Sequence, residues 1–266
     1  MKARALLACG LGLVVALSGC AEGQDRRTAA DGPIPSTATT PPSPSPKPTV
    51  SPKPTRTSPT RRPLRPRPTK MPAGLRRTTG VRPVALTFDD GPSSAWTPKI
   101  LDQLRSAKVT ATFCLVGSEV RRHPELVRRI VREGHQLCNH SWRHDIDLGR
   151  RTVAEIRADL ERTNKAIRAA VPNAKISFYR QPGGVWTSEV VAVAKQLGMS
   201  PLHWSVDPQD WRRPPAKTIS KRVLAAVRPG SIVLLHDGGG DRAATNAACH
   251  GLIGELKRHY GVTRLS

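Results

Sequence analysis

From Pro83 onward, short apolar runs alternate with segments of helical period, and this alternation restricts the fold more than any other feature of the chain. The runs VALTF (84–88), TATFCLV (110–116), HQLC (135–138), ISFY (176–179), PLHWSV (201–206) and SIVLL (231–235) have the length and composition of strands. Between and after them lie candidate helices at 98–107, 124–133, 152–170, 187–198, 216–227 and 243–258. In 152–170, Val153, Ile156, Leu160 and Ile167 recur on one face with charges opposite. Strand and helix alternating this regularly imply right-handed βαβ units, hence an α/β fold with a parallel sheet, open or closed as a barrel, and helices outside. Such sheets carry their chemistry at the carboxyl ends of the strands.

Those ends are not ordinary turns. The first strand runs into Asp89-Asp90, the third into NHSWRH, the fourth into RQPGG, the fifth into DPQDW and the sixth into HDGGG. Two adjacent carboxylates at the end of a buried strand oppose each other's ionisation unless a positive charge lies between them. His140 and His144 are four apart, so both imidazoles can face one point in a helical turn or tight loop. Two histidines and a carboxylate suit a hydrolytic zinc site, and equally a non-haem iron centre; the parallel character of the sheet favours zinc or a similar divalent ion. One aspartate then ligates the metal, and its neighbour is left ionised beside a water activated there, as general base.

TFDDGP, NHSWRH, YRQPGG, DPQDW and LLH, in that order and spacing, resemble the five motifs of NodB-like polysaccharide deacetylases, carbohydrate esterase family 4. The resemblance covers residues 82–258. It implies a distorted (β/α) barrel that removes acetyl groups from a polysaccharide with a bound divalent metal: zinc, with cobalt, manganese or nickel as alternatives. By the first motif Asp89 is the base and Asp90 a metal ligand; by the second, His140 and His144 complete the ligand set. By the third, Arg180 pairs with Asp89, and the Gly183 N–H helps bind the oxyanion. By the fourth, Asp210 orients the catalytic histidine and Trp211 walls the groove; by the fifth, Leu234 lines the acetyl-methyl pocket and His236 is the general acid. The third motif commonly carries an aromatic residue where this chain has Gly183, so one side-chain wall of the groove is lost. The expected substrate is an N-acetylglucosamine-type unit of a cell-wall polysaccharide, peptidoglycan or a chitin-like oligomer. A catalytically silent wall-polymer binding module on the same fold and an acetyl-xylan-type O-deacetylase are the alternatives.

Ahead of this domain, residues 1–19 read as a secretory signal, with Lys2 and Arg4 before an apolar run. LSGC resembles a bacterial lipobox, which makes Cys20 the lipid-bearing residue. Residues 20–82 hold most of the prolines and almost nothing apolar, and read as a disordered, extended linker. The catalytic domain is then 83–266, on an exported monomer lipid-anchored to the outer face of a bacterial membrane. The net charge of +23 suggests nucleic acid, but an exported chain meets little of it, and nearly half of the charge lies in the linker. Wall polymer and membrane are the expected partners, and nucleic acid is not. Outside the cytoplasm, Cys114 and Cys138 in consecutive strands are a candidate disulfide, with Cys249 left over. Trp142 and Trp204 read as packing residues, Asp207 as a turn cap, and Gly238 to Gly240 as a flexible turn.

Overall fold

A computed structural model describes residues 64–266. The signal-like segment, Cys20 and the linker up to residue 63 lie outside the described residues. Six parallel strands, β1 (Ala85–Asp89), β2 (Thr112–Leu115), β3 (Gln136–Asn139), β4 (Ile176–Tyr179), β5 (Ser200–Pro201) and β6 (Ile232–His236), are ordered β5-β4-β3-β2-β1-β6. Among the described residues seven α-helices accompany them: α1 (Thr97–Ala107), α2 (Gly117–Arg122), α3 (Pro124–Arg132), α4 (Val153–Ala170), α5 (Ser188–Gln196), α6 (Ala216–Ala226) and α7 (Ala243–Tyr260).

The sheet is a distorted barrel, and its distortion sits where the fifth strand was expected. Of that run only Pro201, with Ser200 just ahead of it, pairs with β4, whereas Val206 bridges to Val233 of β6. Pro201 has no N–H to continue a ladder. The chain then crosses from one sheet edge to the other: Leu202 N–H donates to the Tyr179 carbonyl at 2.8 Å and Leu234 N–H to the Val206 carbonyl at 2.9 Å. A run that reads as one strand therefore spans the gap between β4 and β6.

Strands β1, β2 and β6 are buried on both faces, as parallel strands under helices must be. Leu86, Phe88, Phe113 and Leu235 belong to the core shared with the helices, including Leu101 and Leu104 of α1 and Ile156, Leu160 and Ile167 of α4. Each such side chain contributes roughly 1.5–3 kcal/mol by leaving water. A smaller cluster of Ala85, Cys114, Cys138, Phe178, Leu202 and Ile232 fills the other face. Cys114 and Cys138 are register partners across β2 and β3 and are joined by a disulfide, while Cys249 is free and buried. Helix α4 starts on a capping box in which Thr152 Oγ1 accepts from Glu155 N–H and the Glu155 carboxylate accepts from Thr152 N–H. Helix α2 was not foreseen, since GSEVRR is too short to display a periodic face.

Folded structure begins before the change of texture at residue 83. Arg65 N–H donates to the Arg150 carbonyl at 3.0 Å, and the Arg65 guanidinium reaches the carbonyls of Gly149 and Arg151 and the Glu189 carboxylate. Thr79 N–H donates to the Gly230 carbonyl at 2.8 Å. These anchors are arginine and backbone contacts rather than apolar burial, so composition places the residues in the linker.

Candidate active site

Asp89 ends β1, and Asp90 follows it in the left-handed region with φ 73°. His140 follows β3, and the loop to His144 contains two further left-handed residues, Ser141 (φ 64°) and His144 itself (φ 55°). The two histidines therefore sit in a tight loop rather than a helical turn. Asn139, a residue the sequence did not single out, holds this loop: its Oδ1 accepts from Ser141 N–H at 2.9 Å, and its amide donates to the Leu160 carbonyl and to Asn164 Oδ1.

Asp90 Oδ1 lies 3.5 Å from His140 Nε2 and 3.3 Å from His144 Nε2. His140 Nδ1 is 2.8 Å from the Arg180 carbonyl. A carbonyl only accepts, so the ring proton is on Nδ1 and the Nε2 lone pair points toward Asp90. One ligand atom from each of Asp90, His140 and His144 falls within 4.8 Å of the others. Asp90 Oδ1 is buried and has no hydrogen-bond partner among the described residues, a costly state for a carboxylate unless a cation is adjacent. This donor set fits a divalent metal of the zinc type. Burial pushes the Asp90 carboxyl up, but contact with His140 and the charges of His236, His140 and His144 outweigh it and hold the group below the usual carboxylate range. Burial pushes His140 down, and the charge of Asp89 with the contacts to Asp90 and the Arg180 carbonyl reverses that, so the ring is raised.

The second oxygen of Asp90 faces a different set of groups. A Cβ on Gly239, whose φ is 69°, would stand 2.4 Å from Asp90 Oδ2, so only glycine passes there. Arg242, nearly buried, donates through Nε to the Gly238 carbonyl at 2.6 Å and lies 3.8 Å from Asp90 Oδ2. Gly238 and Gly239 thus pack against a candidate metal ligand, Gly238 against its backbone and Gly239 against its carboxylate, while Gly240 faces Arg213. Nothing in HDGGGDR distinguishes Arg242 from the many surface arginines of this chain.

Asp89 is buried, with Oδ1 2.6 Å from Arg180 Nη1 and Oδ2 3.5 Å from His140 Nε2. Arg180 is fully buried and also donates to Thr87 Oγ1 at 2.9 Å and to the carbonyls of Leu202 and His203. Across the β1–β6 pair, Asp89 is in register with His236. His236 Nδ1 is 2.7 Å from Asp210 Oδ1, while Asp210 Oδ2 accepts from His236 N–H and from the Thr245 hydroxyl. Burial disfavours the charged ring, but the Asp210 hydrogen bond and charge, with Asp90 and Asp89 behind, push His236 up to about 9. Nδ1 is committed to Asp210, which leaves Nε2 for the cavity.

A cavity of about 340 Å³ is lined by Asp89, Asp90, His140, His144, Gly183, Trp211, Leu234 and His236, with Arg180 and Asp210 buried behind it. Trp204, expected to pack, also forms its wall, with the Arg180 guanidinium 5.7 Å from its ring. The crossing segment 202–206 turns this side chain toward the site, and that course depends on tertiary pairing. Asp207 both caps its turn, accepting from Gln209 N–H at 2.7 Å, and lines the cavity. Trp142 packs as expected, between Arg121 and Arg162. Asp237, another residue not singled out, is fully buried with a carboxyl pushed up by burial to about 7.

The sequence pattern of the family described as polysaccharide deacetylase matches residues 76–202. The chain is 47% identical over 172 residues to a chitooligosaccharide deacetylase of Bradyrhizobium sp. (strain ANU 289), covering 64% of this chain and 78% of that one. It is 37% identical over 177 residues to a peptidoglycan-N-acetylglucosamine deacetylase of Bacillus cereus, covering 66% and 82%. Among solved structures, a CE4 family pseudoenzyme of Bacillus anthracis superposes with a TM-score of 0.65 at 32% identity, over 71% of this chain and 65% of that one.

Proposed function

The chain belongs to the polysaccharide deacetylase family, and from that membership we propose that it hydrolyses the acetamide of N-acetylglucosamine-type units in a cell-wall polysaccharide, peptidoglycan or a chitin-like oligomer. It is a hydrolase of amide bonds outside peptides. The observation that carries this reading is the convergence of the Asp90–His140–His144 cluster, Asp89 and the Asp210-held His236 on one cavity.

A divalent cation held by Asp90 Oδ1 and the two Nε2 atoms would polarise the acetyl carbonyl and make a water more acidic. Asp89, fixed by Arg180, takes the proton of the attacking water. The Gly183 N–H donates to the oxygen that becomes negative as the carbonyl carbon turns tetrahedral. His236, charged at neutral pH because its titration lies near 9, gives its proton to the sugar nitrogen as the carbon–nitrogen bond breaks. Acetate and a free amine are the products. Leu234 would line the pocket for the acetyl methyl group and Trp211 would wall the groove, both residues lining the cavity.

A silent binding module is the weaker reading, although a pseudoenzyme shares this fold, because base, acid, arginine and all three ligand side chains are present together. Zinc is the proposed metal. The test is mass spectrometry of N-acetylglucosamine oligomers and wall digests incubated with the protein, with and without a chelator. Loss of 42 mass units per acetyl group (order of magnitude ~40) that a chelator abolishes supports the reading; no loss on any acetylated sugar overturns it. Lipid attachment at Cys20, with residence on the outer membrane face, is proposed from the lipobox-like sequence. A Cys20→Ala protein that still partitions into detergent would exclude it.

A further inference from the structure

A cavity of about 820 Å³ opens at the amino ends of β3, β4 and β5, where Gln136, Ile176 and Ser200 begin their strands. A neighbouring one of about 560 Å³ shares Gly198 and Ser200 with it. Parallel barrels carry their chemistry at the other ends of the strands, so this face is separate from the hydrolysis. The ionisable side chains on the walls are His135, Lys175 and Arg264 in the larger cavity and Arg76 and Lys195 in the smaller, and no aspartate or glutamate lines either. His135 is neutral at pH 7, its ring pushed down to about 4 by burial.

Lys175, Lys195 and Arg264 are exposed and have no carboxylate partner among the described residues, whereas Arg129, Arg150 and Arg151 elsewhere on the domain are each paired with an aspartate. The segment that carries Arg264 is fixed in place. Gln136 Oε1 accepts from Leu265 N–H and Gln136 Nε2 donates to the Leu265 carbonyl, both at 2.7 Å, and the Leu265 side chain is buried in the smaller core cluster with Phe178 and Leu202. The Arg76 guanidinium donates to the carbonyls of Thr79 and Ser266. A Cβ on Gly74 would stand 2.7 Å from Lys195 Nζ, so the Lys195 ammonium lies close against that backbone. The cations are thus gathered at one end of the barrel without counter-charge, an arrangement that repels itself and that an anion relieves.

We propose that these adjoining cavities dock a linear polyanion, a polymer carrying phosphate or carboxylate groups at intervals, while the catalytic cavity on the opposite face stays open to its substrate. Cations in both cavities suit a ligand of repeated charge rather than a single anion. Nucleic acid is the less suited polyanion, because the rings that line these cavities, His135 and Phe178, are buried and present no face on which bases could stack. A concave surface likewise fits a chain better than a flat bilayer. The docking does not rest on the deacetylase reading; joined to it, the surface holds the enzyme on an anionic polymer beside its substrate.

Because the residues ahead of the domain are themselves rich in Lys and Arg, the test must read this surface locally. Hydrogen exchange of the full chain, followed by mass spectrometry, is measured with and without polyphosphate, polyglucuronate, a single-stranded oligonucleotide and phosphatidylglycerol vesicles. Polyphosphate or polyglucuronate should slow exchange in peptides spanning 173–178, 198–202 and 264–266, and the two polymers distinguish phosphate from carboxylate as the recognised group. Lys175→Ala with Lys195→Ala should raise the polymer concentration needed for that protection roughly tenfold. Lys217→Ala with Lys221→Ala, which removes two exposed cations from α6, should leave it unchanged. Equal behaviour of the two pairs overturns the proposal, as does protection by neither polymer, or by the oligonucleotide or the vesicles alone. The readout involves no turnover, so a chain that deacetylates nothing fails the deacetylase reading while the exchange data still decide the docking.

Discussion

Arg180 Nη1 lies 2.6 Å from Asp89 Oδ1, with both side chains out of reach of solvent. A buried pair of this kind is dangerous to halve: removing one partner strands the other charge in a medium that cannot solvate it. Arg180→Ala should therefore cost about 3–5 kcal/mol in denaturant unfolding and abolish turnover. Asp89→Asn combined with Arg180→Met should recover much of that stability while remaining inactive. A double variant as unstable as Arg180→Ala would show that the contacts of Arg180 to Thr87, Leu202 and His203 matter more than the ion pair.

The two neighbouring aspartates should fail in different ways. Asp90→Asn replaces an anionic candidate ligand by a neutral amide, so metal content and rate should fall together. Asp89→Asn should keep near-stoichiometric metal and lose roughly 10²- to 10⁴-fold in kcat, the range for a general base. Metal analysis beside deacetylation rates separates the two, and equal metal loss in both variants would refute the division of labour.

His236 sets the expected behaviour at high pH. Its folded value of about 9 lies above the ordinary 6.5, so its contribution to stability is complete below about 6.5 and is lost as pH rises through about 9. The alkaline limb of kcat should follow the same loss of the proton. Asp210→Asn removes the strongest support of the charged ring and should move that limb to lower pH. Asp90 and Asp89 also help to hold the proton, so a bound divalent cation, which offsets their charge, should lower the His236 titration followed by NMR in the presence of metal. A titration unmoved by both changes would contradict this account.

The disulfide makes a prediction about the thiols. Alkylation in denaturant without reductant, followed by peptide mapping, should label Cys249 and leave Cys114 and Cys138 unlabelled. With the two cysteines 24 residues apart, their closed loop should contribute about 3 kcal/mol through the unfolded chain. Cys114→Ala with Cys138→Ala should lower the denaturant midpoint accordingly. Labelling of all three in the native sequence would mean that the thiols are free.

Much of this protein was legible before any coordinates. Alternating apolar runs and helical periods dictated parallel βαβ units, because side-chain periodicity is a local property of the chain. The same locality made Asp89-Asp90, the His140–His144 spacing and the residues after each strand readable as candidates. Other features depended on partners distant in sequence. The run 201–206 looks like one strand, but which edge it joins depends on the curl of the whole sheet, and with it the turn of Trp204 into the cavity wall. Arg242 and Asp237 look like ordinary polar residues of a loop until packing buries them against Asp90 and Thr97.

Residue identity alone determined the kinds of group at the strand ends: carboxylates, imidazoles, a guanidinium and glycines able to pass close to them. The tertiary structure alone decided which atom of each group faces which. Asp90 turns Oδ1 to the histidines and Oδ2 to Arg242, His140 spends Nδ1 on the Arg180 carbonyl, and His236 is laid in register with Asp89. Such choices are made by strand register and by burial, which sum contacts over the whole fold, whereas a sequence pattern reports only the chemistry of neighbours along the chain.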